Sequence, residues 1–256
     1  MKNRIVILLT LSVSLVFLAL LALHGPIPQD PEYHNFADSR TLLGIPNGLN
    51  TLTNLPFILV GIFGLLDLKS LSGDRYLTNF KYAYALLFIG SVLVGFGSAW
   101  YHLAPDNGTL IWDRLPMTLA FMSLFSIVVA EFVSEKLGIG LFWPLVVLGA
   151  WSVIYWAMTD SAHQGDLRPY AVVQFLPMLI MPLLLLFREG VFSPVRGYWQ
   201  LGLCYFLAKI AENLDAELQS LFICISGHSL KHLLAASGLL LLAVSYRQRR
   251  RVLRIG

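Results

Sequence analysis

Three histidines, an aspartate and a serine have the types and spacing to hold a metal ion and use it. His228 and His232 stand four apart in Gly227-His228-Ser229-Leu230-Lys231-His232. On a helix both imidazoles then leave one face and can share a single ion. His102 closes Gly97-Ser98-Ala99-Trp100-Tyr101-His102, and Asp113 opens the next apolar run beyond a short loop. Three neutral imidazoles on a divalent ion leave one tetrahedral position for water, the arrangement of catalytic rather than structural zinc. Zinc lowers the pKa of such a water and yields hydroxide without a strong base. Asp113 could take or orient the water's proton, and Ser98, one turn before His102, could donate to the developing oxyanion. Any one of these residues is equally well read as a polar group tolerated near lipid headgroups. Ionisable groups from different segments converging at one membrane depth point instead to function.

The elements that must position them are membrane helices. The chain is 57% hydrophobic and only 13% charged, too apolar for most of it to face water. Apolar runs near the length of a bilayer crossing follow one another with short polar connections. Runs of that continuity satisfy their backbones as helices, so the fold class expected is an all-α integral membrane protein. The first run, Ile5 to Leu23, follows Lys2 and Arg4 and reads as an uncleaved signal anchor, because the small-residue pair of a cleavage site is missing near Ala22-Leu23-His24-Gly25. Pro26 to Ile45 is too polar to cross and is expected at the membrane surface. Seven further spans read as Pro46 to Leu68, Tyr82 to Leu103, Trp112 to Val133, Ile139 to Met158, Pro169 to Phe187, Tyr198 to Leu214 and Ile223 to Tyr246. The domain division is therefore a signal-anchor helix over 1–25, an interfacial segment over 26–45 and a seven-helix membrane domain over 46–256.

The loops sort by charge. Lys2, Arg4, Lys69, Arg75, Lys81, Lys136, Arg188, Arg196 and Arg247 to Arg254 fall on one side; Asp30, Glu32, Asp38, Asp106, Asp160, Asp166, Asp215 and Glu217 fall on the other. The positive-inside rule then puts both termini in the cytoplasm and the histidines toward the outer face. The compact chain is expected in a bacterial inner membrane, with the site toward the periplasm. A net charge of +3, explained by topology, calls for no nucleic-acid partner. Cys204 and Cys224 lack metal-ligand spacing and read as small apolar groups.

Other polar residues have quieter readings. Asn47, Asn50 and Asn54 recur near helical spacing and suit interhelical hydrogen bonds. Lys209, Glu212 and Asp215 stand three apart and suit mutual pairing. Arg114, Lys231 and Arg168 could bind a carboxylate or phosphate, or could snorkel to the interface. His24, His34 and His163 read as surface histidines, and Pro144, Pro177 and Pro182 as kinks around a cavity.

The pattern resembles the alkaline ceramidase family, within the superfamily that also holds the adiponectin receptors. That family has a seven-helix core bearing a serine, a histidine four later, an aspartate eleven beyond and a final histidine pair four apart. Ser98, His102, Asp113, His228 and His232 match each element, and the similarity covers about residues 35–246. The resemblance implies one catalytic zinc ion on His102, His228 and His232, with Asp113 and Ser98 beside it. It implies cleavage of the amide of ceramide or a related N-acylated lipid to a sphingoid base and a fatty acid. The true lipid is left open, and so are the oligomeric state and any partner besides substrate and membrane. Animal members also carry calcium ligands before the first core helix. Here that stretch is Asn35-Phe36-Ala37-Asp38-Ser39-Arg40, with Asn47 beyond it. Arg40 puts a positive charge where the ion would sit and amides replace carboxylates, which argues against calcium and for an Asp38–Arg40 clamp. The alternative to an enzyme is a lipid-sensing receptor or scaffold with structural zinc. Against it stands the lack of any signalling domain, the basic tail after Arg247 being short. A channel or transporter lacks the repeated halves and polar pathway it would need.

Overall fold

The computed structural model describes residues 2–70, 74–162 and 164–252. The chain is 79% helical, so the all-α expectation holds. Ten helices follow in order among the described residues: α1 Lys2–His24, α2 Gly48–Leu52, α3 Leu55–Ser70, α4 Lys81–Leu103, α5 Asn107–Phe132, α6 Glu135–Ser161, α7 Arg168–Phe187, α8 Arg196–Asn213, α9 Asp215–Phe222 and α10 Gly227–Gln248. A two-residue pair, β1 Phe192–Ser193 with β2 Arg250–Arg251, joins the α7–α8 connection to the end of α10.

Seven of these segments are long and apolar enough to cross a bilayer: α1, α2 with α3, α4, α5, α6, α7 and α10. Large apolar side chains such as Leu15, Phe96 and Trp143 point outward from them, as lipid-facing residues do. The protein is a multi-pass integral membrane protein. The expected count of eight is not reached by this measure. The span expected over Tyr198 to Leu214 is a helix, but Arg196, Gln200, Lys209 and Glu212 make α8 less apolar than the rest. The span expected from Ile223 instead starts at Gly227, because residues 215–222 form the separate short helix α9. The span expected from Pro46 is interrupted between Leu52 and Leu55.

The packing is sequential. α4 lies against α3 and α5, α6 against α5 and α7, and α10 against both α3 and α8. Small residues permit the close approaches on which the site depends. A Cβ on Gly97 would collide with the Trp112 carbonyl oxygen, so α4 meets α5 backbone to backbone just where Ser98 and Asp113 stand. A Cβ on Gly227 would likewise strike the Ala211 carbonyl, which fixes the start of α10 against the end of α8. Helix starts are capped by side chains: Asp106 and Thr109 form a capping box on α5, and the Ser226 hydroxyl accepts from the Ser229 amide at 3.1 Å on α10.

The end of the bundle remote from the histidines is held by a buried ionic cluster. Arg249 lies 2.8 Å from Glu131, whose carboxylate also accepts from Tyr84 at 2.5 Å and Tyr198 at 2.8 Å. The Arg249 guanidinium packs over Tyr246 and Phe192 and donates to the Arg75 carbonyl at 2.5 Å. A charge at that depth is tolerable because Glu131 balances it and Nε and Nη1 are hydrogen-bonded.

Candidate active site

His102 is delivered by the last turn of α4, His228 and His232 by the first two turns of α10, and Asp113 by the second turn of α5. The three imidazoles are buried and form a near-equilateral cluster, with ring centroids 4.9 Å, 4.9 Å and 5.0 Å apart. One ligand-capable atom from each lies within 4.8 Å of the other two. The sequence reading that brings His102 to the α10 pair is thus met by the geometry. Ser98 and Asp113 are also buried, and the serine hydroxyl faces the carboxylate.

The donor set suits a zinc-like ion. His102 Nδ1 is buried without a hydrogen-bond partner, so the protein leaves a ring nitrogen unclaimed. His232 Nδ1 stands 3.0 Å from Thr53 Oγ1, whose own hydroxyl donates to the Leu49 carbonyl at 2.7 Å. With its proton committed, the threonine oxygen accepts from Nδ1–H, and the Nε2 lone pair of His232 stays free for an ion. His228 is the exception. Its Nε2 lies 2.9 Å from Lys231 Nζ, so an ion on that nitrogen competes with the lysine, which has Glu212 Oε1 at 3.0 Å as its other partner.

The interfacial segment lies over this cluster. The Phe36 ring sits 4.7 Å from His102 and 4.6 Å from His228, centroid to centroid. Asp215 ties the segment to α10, its carboxylate accepting from the Ala37 amide at 2.9 Å and the His228 amide at 2.6 Å. Asn50 is a second tie: Nδ2 donates to the Asp38 carbonyl at 3.0 Å, while Oδ1 accepts from Ser229 at 2.6 Å. The expected Asp38–Arg40 pair is present and bidentate, at 2.7 Å and 2.8 Å. Hydrogen bonding from the Arg40 guanidinium holds the Asp38 carboxyl below the usual carboxylate range, against the opposing effect of burial.

The other polar residues resolve as follows. Asn47 donates to the His102 carbonyl at 2.9 Å, an interhelical bond as expected, whereas Asn54 bonds within its own segment to Asn50. Lys209 and Glu212 pair, but Asp215 turns to the interfacial segment and Lys231 takes its place. His34 is no bare surface histidine, since its ring bridges Tyr101 and Asn107 at 2.9 Å each. His24 is exposed at the end of α1, and His163 lies outside the described residues. Thr53, Phe36 and Tyr33 carried no spacing signal in the sequence. A threonine among asparagines and aromatics in a loop have many other uses, and only the packed segment reveals these.

Ser98, Asp113 and His232 open on a cavity of about 790 Å³ between α4, α5, α7, α8 and α10. Its depths are apolar, with Leu87, Met117, Phe121, Leu124, Met181 and Leu239 among the lining residues. Its mouth is polar, with Tyr33, Arg114, Lys209, Glu212 and Lys231. Pro177 and Pro182 of α7 border it, as expected for kinks at a cavity, while Pro144 of α6 does not. The expected spans thus converge on a membrane-embedded protein with a candidate metal centre at the head of a lipid-sized chamber. A family model described as Ceramidase matches residues 44–252, and the chain belongs to the ceramidase family, whose activity is amide hydrolysis. No curated protein and no solved structure matches the chain.

Proposed function

We propose that this protein is a zinc-dependent amidohydrolase that cleaves ceramide or a related N-acylated lipid to a long-chain amine and a fatty acid. The observation that carries the reading is the buried histidine cluster standing with Asp113 and Ser98 at the polar head of an apolar cavity, in a chain of the ceramidase family. His102, His228 and His232 hold the ion. Zinc bound there supplies a Lewis acid that activates water and polarises the amide carbonyl. Asp113 accepts the proton of the attacking water and passes it to the leaving nitrogen as the carbon–nitrogen bond breaks. Ser98 donates to that carboxylate before reaction and, once Asp113 carries the proton, its hydroxyl is free to donate to the developing oxyanion instead. The cavity grips the acyl chain and so fixes the amide at the histidines, using binding energy remote from the reacting atoms. The lipid enters sideways from the bilayer into the cavity, whose wall includes α7 and α8. Phe36 shields the cluster from outer water.

The same reading takes α8 as the eighth crossing. It runs antiparallel along α10, Gly197 against Ser245, Gly238 against Cys204 and Gly227 against Ala211, and so spans the same thickness. Its charges lie at its ends, Arg196 toward Gln248 and Lys209 with Glu212 at the cavity mouth. By the positive-inside rule both termini face the cytoplasm, and the histidines face the outer, periplasmic side. The division into an anchor helix, an interfacial segment and a seven-helix domain from residue 46 is supported by a family match that begins at residue 44.

The test is purification in detergent, measurement of bound metal, and release of labelled fatty acid from ceramide and other N-acyl lipids, with His228→Ala as the control. The expected result is about one zinc per chain and hydrolysis that the variant loses while keeping its helical signal and elution volume. Zinc retained with no lipid amide cleaved would replace the enzyme with a receptor or scaffold.

A further inference from the structure

Three cations named by the sequence as possible anion binders sit near the cavity mouth, and the structure separates them. Arg168 is paired with Asp166 at 2.8 Å, and Lys231 with Glu212 at 3.0 Å. Arg114 differs. It is 6% exposed, borders the cavity and has no carboxylate within ion-pair distance among the described residues. One nitrogen, Nη2, donates to Gln29 Oε1 at 2.6 Å, while Nη1 is buried without a partner. The Tyr33 hydroxyl stands beside the guanidinium without satisfying Nη1. The plane is set by aromatic rings: its carbon is 4.4 Å from the Trp156 centroid, 5.0 Å from Tyr170 and 5.5 Å from Tyr33.

Cation–π contacts and one neutral amide offset only part of the cost of a buried guanidinium. At the far end of the bundle the same problem is solved with Glu131; here no carboxylate of the described residues comes within ion-pair distance. What a held, planar, half-satisfied guanidinium at a cavity wall accepts best is a two-oxygen anion. The surrounding charge agrees, since Arg114, Lys209 and Lys231 face only Asp113 and Glu212 at the mouth.

We propose that Arg114 is the binding site for an oxyanion, a carboxylate or phosphate, carried by the lipid in the cavity. The inference rests on the cavity being the lipid site of the proposed function and does not require the ion. It narrows the substrate class to N-acyl amides whose amine portion is acidic if the anion is on the headgroup. If instead the anion is the fatty acid released, Arg114 is the product-retaining group.

The test is equilibrium binding of N-palmitoylglycine, N-palmitoylethanolamine, palmitate and hexadecanol to the whole protein in detergent micelles, with and without chelator. The expected result is that an acidic lipid binds about ten-fold or more tighter than its neutral match. That preference survives chelation and is lost in Arg114→Gln. On the wild-type chain, N-palmitoylglycine or palmitate protects Arg114 from an arginine-modifying dicarbonyl while the neutral lipids do not, a readout that holds even if the variant misfolds. Selectivity for N-palmitoylglycine places the anion on the headgroup; selectivity for palmitate alone places it on the product. Equal affinities, a preference unchanged in Arg114→Gln, or one abolished by chelation would overturn the assignment. Failure to cleave any amide would sink the enzyme reading and leave the binding result standing.

Discussion

At the residue scale the site depends on which nitrogen of each imidazole is free. His232 has that choice made by Thr53, which spends its only proton on the Leu49 carbonyl and can therefore only accept from Nδ1. Thr53→Val keeps the shape and removes the acceptor, so zinc affinity measured by chelator competition should fall about 10–100-fold. Thr53→Ser should restore most of it; equal affinity in all three proteins would remove Thr53 from the metal's support. Arg114 belongs to this scale too, as a side chain whose unused valence tells more than its exposure does.

At the scale of elements, the reacting residues meet because two helices touch without side chains between them. Gly97→Val would push α4 off the Trp112 carbonyl and separate Ser98 from Asp113. The expected cost is about 1–3 kcal/mol in stability, with hydrolysis falling further than thermal stability does, as a melting curve and a rate on the same sample would show. The interfacial segment over residues 26–45 is an element of another kind, docked by hydrogen bonds from several helices rather than by helix packing. Asp38 titrates lower in the folded chain than in the unfolded one, where its pKa is about 3.9. Its stabilising contribution is therefore complete above about pH 4 and is lost as pH falls through the depressed folded value. Protection of residues 37–50 against amide exchange, relative to the unfolded peptide at the same pH, should fall below about pH 4 in the wild type. In Asp38→Asn it should be low at neutral pH as well, and a pH-independent protection in the wild type would contradict the clamp.

At the scale of the whole molecule, a bundle in lipid gains little from burying apolar surface, so it tolerates a large apolar chamber that a soluble core would close. The chamber wall should then set chain length. Leu124→Trp, deep among its lining residues, should shift kcat/KM by about ten-fold toward shorter N-acyl chains. An unchanged preference across an octanoyl to octadecanoyl series would place the acyl chain elsewhere. The opposite end, with Arg249 on Glu131, closes the bundle. Glu131→Gln leaves a buried guanidinium unbalanced and should cost about 3–5 kcal/mol, read as earlier loss of the folded elution peak on heating.

Much of this was determined by the sequence alone, because the determining physics is local and additive. Hydropathy over about twenty residues marks the helices able to cross lipid, and a four-residue interval settles that His228 and His232 share a face. Helix α8, read from the sequence as a span, carries a weaker apolar signal because of its charges, although it packs along α10 from Gly197 to Ala211. Only the tertiary structure decided that His102 meets the α10 pair, that Phe36 covers them, and that Thr53 supports His232. It alone decided that Lys231 and Arg168 have acidic partners while Arg114 has none within ion-pair distance among the described residues. Those facts join residues as much as 192 positions apart in the chain. Closure of such distances is fixed by which helix faces pack together, a property no single stretch of sequence carries.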